Sequence, residues 1–120
     1  MKKKILVVDD EEGLRLLYKE ELEDQGWEVL LAASGVESLK RLQEGAVDIV
    51  LLDIKMPDMD GVEVLRRIKE RWSDLPVVLC SAYPHYKGDF GTWASDAYVI
   101  KSSDLTELKD TLRELLQDKP

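Results

Sequence analysis

Ile5-Leu6-Val7-Val8 and Ile49-Val50-Leu51-Leu52 are unbroken apolar runs, and both end abruptly in aspartate, the first at Asp9-Asp10 and the second at Asp53. A strand with one face in water alternates apolar and polar residues, whereas a run without alternation has to be covered on both faces. Trp27 to Ala32, Pro76 to Cys80 and Ala97 to Ile100 complete a set of five strand-like runs. Between them lie segments of helical spacing. Glu12 to Gln25 carries Leu14, Leu17, Tyr18 and Leu22, with Gly26 placed to stop it. Ser34-Gly35-Val36-Glu37 reads as a capping box ahead of a stripe of Val36, Leu39 and Leu42, which Gly45 closes. Asp60 is placed to cap a helix bearing Val62, Leu65, Ile68 and Trp72, and Asp104-Leu105-Thr106-Glu107 offers a second capping box before Leu108, Leu112 and Leu115.

Strands alternating with helices imply right-handed crossovers and a parallel sheet with helices on both faces. The predicted fold is therefore α/β, a doubly wound three-layer sandwich, and 120 residues fit a single domain over 1–120. One segment breaks the pattern. Tyr83 to Asp96 should hold the fourth helix but contains Pro84, Gly88 and Gly91. Each glycine costs about 0.5–1 kcal/mol relative to alanine inside a helix, so a short or irregular helix is expected.

Composition narrows the function classes. Apolar residues at 44% and charged residues at 35% describe a packed core with a hydrated surface. The net charge of −8 disfavours direct contact with nucleic acid or an anionic membrane. Met1 to Lys4 is basic like the start of a signal peptide, but the apolar run behind it is too short for a secretory core. No stretch approaches the roughly 20 apolar residues that span a bilayer. With Cys80 the only cysteine, no internal disulfide can form, and a cytoplasmic location is expected.

In open parallel sheets, ligands bind beyond the carboxyl ends of the strands. Here those ends carry Asp9, Asp10 and Glu11, then Asp53, Ser81 and Lys101. Crowded carboxylates raise one another's pKa, and such a cluster persists when a cation neutralises it. Hard carboxylate oxygens suit Mg²⁺, which takes one or two carboxylates and keeps open positions for phosphoryl oxygens. Lys101 and Ser81 suit the remaining oxygens of a transferring phosphoryl group, and a carboxylate nucleophile would yield an acyl phosphate.

Leu6 to Glu11, Asp48 to Gly61 (DIVLLDIKMPDMDG) and Tyr98 to Lys101 resemble the signatures of bacterial two-component receiver domains, in family order and over essentially the whole chain. The resemblance implies a flavodoxin-like sheet of order 2-1-3-4-5 and Asp53 as phosphoryl acceptor. Asp10 would ligate Mg²⁺ directly, Asp9 directly or through water, and the main-chain carbonyl of Lys55 would add a ligand. Ser81 would move toward the phosphoryl group, Lys101 would pair with it, and Tyr98 occupies the place of an aromatic that turns inward on activation. The implied donor is a sensor histidine kinase or a histidine phosphotransfer protein, with a downstream effector or output domain as receiver of the signal. The implied enzymology is limited to self-catalysed phosphoryl transfer and autodephosphorylation. One departure concerns Ser102, which stands where most members have a proline in a cis peptide.

Blander readings stand beside these. Asp9 and Asp10 could be strand-end caps, Asp53 a structural loop residue, Ser81 and Lys101 ordinary surface polars, and Tyr98 a half-buried packing residue. The sole histidine, His85, falls in the irregular segment, and Cys80 reads as strand packing. At the level of function the alternatives are a receiver-fold binding or dimerisation module not regulated by phosphorylation, and a phosphohydrolase with an aspartyl intermediate. Lys55 argues against the latter, since those enzymes typically place an aspartate there.

Overall fold

The apolar runs form the central layer that their lack of alternation requires. The computed structural model describes residues 2–82 and 95–117. In chain order its elements are β1 (Lys4–Val8), α1 (Glu12–Glu23), β2 (Glu28–Ala32), α2 (Gly35–Glu44), β3 (Ile49–Asp53), α3 (Gly61–Arg71), β4 (Val77–Ser81), β5 (Ala97–Ile100) and α4 (Thr106–Gln117). The sheet runs β2-β1-β3-β4-β5, and every neighbouring pair is parallel. This is the order expected of a flavodoxin-like receiver. Of the segment Tyr83 to Asp96, where an irregular helix is expected, residues 83–94 lie outside the described residues, His85 among them.

Alternate residues of the strands feed two cores. Ile5, Val7, Ile49, Leu51, Val78 and Cys80 pack against Tyr18 and Leu22 of α1 and Leu108, Leu112 and Leu116 of α4. Leu6, Val8, Val50, Leu52, Val77 and Leu79 pack against Leu42 of α2 and Val64, Leu65 and Ile68 of α3. Burying each such side chain stabilises the fold by about 1.5–3 kcal/mol.

Several local expectations are refined. The buried stripe of α2 is Gly35, Ser38 and Leu42, and Val36 is half-exposed because it falls about 100° off that line. Likewise Tyr18 and Leu22 are buried in α1 and Leu14 packs against them, while Leu17 lies on the flank, 39% exposed. Ser34 caps Glu37 as predicted, but the Glu37 carboxylate reaches back to the amide of Ala33 rather than to that of Ser34. Asp60 caps α3 through the amide of Glu63. Asp104 accepts from the amide of Thr106, one residue short of the predicted box. Gly26 has φ of 97°, which favours glycine at the end of α1. Gly45 closes α2 in an extended conformation open to any residue.

Three polar links tie the layers. Asp96 accepts from the amide of Val77 and from Lys69 Nζ, joining the approach to β5 to β4 and α3. Lys109 reaches Glu21 at 2.8 Å and Arg113 reaches Gln25, joining α4 to α1. No helix among the described residues is long and apolar enough to cross a membrane.

Candidate functional site

Strand register alone gathers the acidic residues. Val8 pairs with Leu52, so Asp9, the next residue along, stands beside Asp53 at the end of β3. Across the sheet, Asp53 pairs with Cys80 and Ser81 with Ile100, which sets Lys101 one step beyond β5. The Lys101 amide continues the ladder, donating to Ser81 O at 2.8 Å. Carboxylate oxygens of Asp9, Asp10 and Asp53 all lie within 4.8 Å of one another. Lys101 Nζ sits between two of them, 3.2 Å from Asp9 Oδ2 and 3.3 Å from Asp53 Oδ1. A cleft of about 290 Å³ opens over this group, lined by Asp10, Glu11, Asp53, Lys55, Ser81, Ala82 and Lys101. A larger cleft, about 480 Å³, lies between the carboxyl ends of α2 and α3 and contains none of these side chains.

The predicted residues therefore converge, apart from Tyr98. That side chain is half-buried and packs against the α2–α3 core. Ser102 does not divert Lys101. No cis peptide bond occurs among the described residues, so the Lys101-Ser102 bond is trans, and the ammonium still reaches both carboxylates.

Burial shapes the electrostatics. Asp9, Asp53 and Ser81 are buried, whereas Asp10 is exposed. Loss of solvent pushes the Asp53 carboxyl up to about 6; Lys101 pulls it down and Asp9 pushes it further up. Burial pulls the Lys101 ammonium down, but Asp53 and Asp9 outweigh it and hold it above the ordinary lysine range. Beneath them, the Cys80 thiol is pushed up to about 11 by burial, which keeps it protonated and fits the packing reading.

The donor set fits a hard cation. Asp9 Oδ1 accepts from the amide of Glu11 at 3.0 Å, but buried Asp9 Oδ2 has no hydrogen-bond partner among the described residues. Lys101 meets it only as an ion pair. An orphaned carboxylate oxygen beside two further carboxylates is what a divalent ion with oxygen preference would satisfy.

Residues 5–113 match the family described as response regulator receiver domain. The chain belongs to that family. Among solved structures this receiver is similar to response regulator TrrA of Thermotoga maritima in complex with Mg²⁺-BeF, at 46% identity and TM-score 0.93, covering 95% of this chain and 99% of that one. It is also similar, at 45% identity and TM-score 0.91, to the structure of histidine kinase ThkA in complex with TrrA, covering 96% of this chain and 99% of the matched one. Sporulation initiation phosphotransferase F of Bacillus subtilis is 32% identical over 118 residues, covering 97% of this chain and 95% of the relative. Other relatives are longer: the receiver spans 50% of the B. subtilis regulator YkoG and 34% of PhoP of the same organism.

Three contributors to this receiver site were given no role of their own by the sequence. Arg15 Nη1 donates to the main-chain oxygen of Asp9 at 2.8 Å, pinning the end of β1 to α1. A cation in the first turn of a helix opposes the macrodipole, which is a faint signal of such a role. Asp58, in the loop after Asp53, accepts from the amides of Gly35 and Val36, and nothing in the sequence marks that pairing. Gly61 is the third. Its amide donates to Ile54 O at 2.6 Å, and a Cβ there would strike the main-chain oxygen of Asp53 and come within 2.7 Å of Ile54 Cα. Because the obstacle is backbone, Gly61→Ala is expected to destabilise the domain by about 3 kcal/mol, the upper end for overpacking. Urea denaturation checks this, and an unchanged midpoint would contradict it.

Proposed function

We propose that this receiver takes a phosphoryl group onto Asp53 from a phosphohistidine, carried by a sensor histidine kinase or a histidine phosphotransfer protein. The observation that carries the reading is the Lys101 ammonium held between Asp53 and an Asp9 carboxylate with an unsatisfied buried oxygen. Asp9, Asp10, Asp53 and the main-chain carbonyl of Lys55 would hold Mg²⁺. That ion supplies charge neutralisation for phosphoryl oxygens as transfer proceeds.

A carboxylate oxygen of Asp53 attacks phosphorus, the P–N bond of the donor breaks, and the imidazole leaves with the electron pair. Lys101 offsets charge on the phosphoryl oxygens from a position it already occupies beside Asp53, so little reorganisation is needed. Ser81 donates its hydroxyl to another oxygen. Ala82, the small residue after it, leaves the cleft open to the donor and later to water, which returns Asp53 by self-catalysed hydrolysis. Movement of Ser81 and Tyr98 toward the modified site passes the change to a surface read by an effector or an output domain. Residues 1–120 act as one such unit in the cytoplasm. The complex of TrrA with ThkA and that of TrrA with Mg²⁺-BeF support the donor and the cation.

Incubation with Mg²⁺ and acetyl phosphate tests this by intact mass. One added phosphoryl group is expected, absent when EDTA removes the metal. No adduct from acetyl phosphate or from any phosphohistidine donor would reject the reading.

A further inference from the structure

The loop between β3 and α3 carries Lys55, whose amide donates toward the Asp53 carboxylate and which lines the cleft over it. Both ends of that loop are fixed. Ile54 N donates to Cys80 O at 3.3 Å, and Gly61 N closes back on Ile54 O at 2.6 Å. The tip is held from outside the loop. Asp58 Oδ1 accepts from the amide of Gly35 at 3.2 Å, and Asp58 Oδ2 accepts from the amide of Val36 at 3.1 Å. These are the first two amides of α2, 23 and 22 residues away in sequence.

We infer that Asp58 is a positioning residue for the metal site: by clasping the first turn of α2, it holds the β3–α3 loop in the conformation that presents the Lys55 backbone to Asp53. The inference rests on the metal-assisted phosphoryl transfer proposed above.

Three observations favour it. First, the donors of the α2 first turn are divided. Ser34 serves only the amide of Glu37, so Gly35 and Val36 are left for Asp58 and the clasp duplicates no other cap. Second, the charge suits the place, since a carboxylate at a helix amino terminus meets the positive end of the macrodipole. Third, the contact is sterically tailored. A Cβ at Gly35 would lie 3.1 Å from Met59 Cβ and 2.8 Å from Val64 Cγ2, so only glycine lets the first turn of α2 seat this closely on the loop and α3. The tip of the loop is thus pinned by two hydrogen bonds and one close approach, five or six residues beyond Asp53.

The competing explanation is that Asp58 merely stabilises α2. Ser34→Ala separates the two, because it weakens the cap of the same helix without touching the loop. In metal-free protein, NMR hydrogen exchange at the Lys55 amide is expected to speed up about tenfold in Asp58→Ala. Mg²⁺ affinity measured calorimetrically is expected to fall about tenfold, the lower range for residues that orient metal ligands. Asp58→Asn keeps an acceptor and should recover part of both. Ser34→Ala should lower the melting temperature and leave both at their natural values. The inference is overturned if Asp58→Ala leaves Lys55 exchange and Mg²⁺ affinity unchanged, or if Ser34→Ala weakens Mg²⁺ binding to the same extent. A natural chain with no affinity for Mg²⁺ would instead reject the proposed metal site and this inference toward it. The exchange rate would then show only whether Asp58 holds the loop.

Discussion

In metal-free buffer at pH 7, Asp53→Asn is expected to raise stability by about 3 kcal/mol while abolishing phosphoryl acceptance. The stability gain follows because burial raises the carboxyl from 3.8 to about 6, and about 1.36 kcal/mol accompanies each tenfold change in its ionisation. Its sign is set by which state holds the proton. Folding raises this pKa, so as pH climbs the unfolded chain ionises first and the folded chain later and at a cost. Stability contributed by the protonated form is therefore full below pH 4 and is lost as pH rises through about 6. Asparagine removes the titration, so the variant's advantage should be near its full size at pH 7 and vanish toward pH 4. Added Mg²⁺ should narrow the gap at pH 7, because a ligand bound by the folded state stabilises it by mass action and the asparagine variant offers one carboxylate fewer. Urea denaturation at the two pH values, with and without Mg²⁺, measures all of this. A variant less stable at pH 7, or an advantage independent of pH, would contradict the electrostatic account.

Lys101→Met should act in the opposite direction. Lys101 is the only cation ion-paired with Asp9 or Asp53 among the described residues, and its side chain is 17% exposed. Methionine keeps the stem and deletes the ammonium, leaving two buried carboxylates uncompensated. Breaking a buried pair in this way costs about 3–5 kcal/mol. The loss should shrink in acid as the carboxylates take up protons, and in Mg²⁺ as the cation substitutes for the lost charge. It should also be smaller in the Asp53→Asn background, since residues in contact do not add independently. Phosphoryl transfer in single-turnover measurements should slow about 10²–10³-fold, the usual effect of removing one preorganised donor from a developing charge. Unchanged stability across pH together with unchanged transfer would show that the ammonium has no part in either.

The sequence spoke most clearly where physics is least ambiguous. Continuous apolar runs such as Ile49 to Leu52, too short for a helix and rich in β-branched residues, read as doubly covered strands, so layers and strand existence were legible. The rule that sites lie past strand carboxyl ends then placed Asp9, Asp53, Ser81 and Lys101 together. Strand order came from family resemblance, because periodicity does not say which strands are neighbours. Helix faces were less legible. Val36 and Leu17 are apolar and near the right spacing, yet both are exposed, and in α2 Gly35 and Ser38 lie closer to the contact line. Small residues at a tight approach leave no hydrophobic signature. Least legible were contacts made across space by ordinary polar residues. Nothing local tells that Asp58 clasps α2, that Arg15 pins Asp9, or that Asp96 joins Val77 to Lys69. Each partner is fixed only by the folded geometry.

The central claim is that Asp53 is the carboxylate activated by this arrangement, and locating the modified atom tests it most directly. After phosphorylation in Mg²⁺, borohydride reduces an acyl phosphate to the corresponding alcohol, turning a phosphorylated aspartate into homoserine. Peptide mass spectrometry is expected to find homoserine at position 53 and at no other aspartate. Homoserine at position 9 or 10, or a chain that incorporates phosphate yet yields none, would contradict the account.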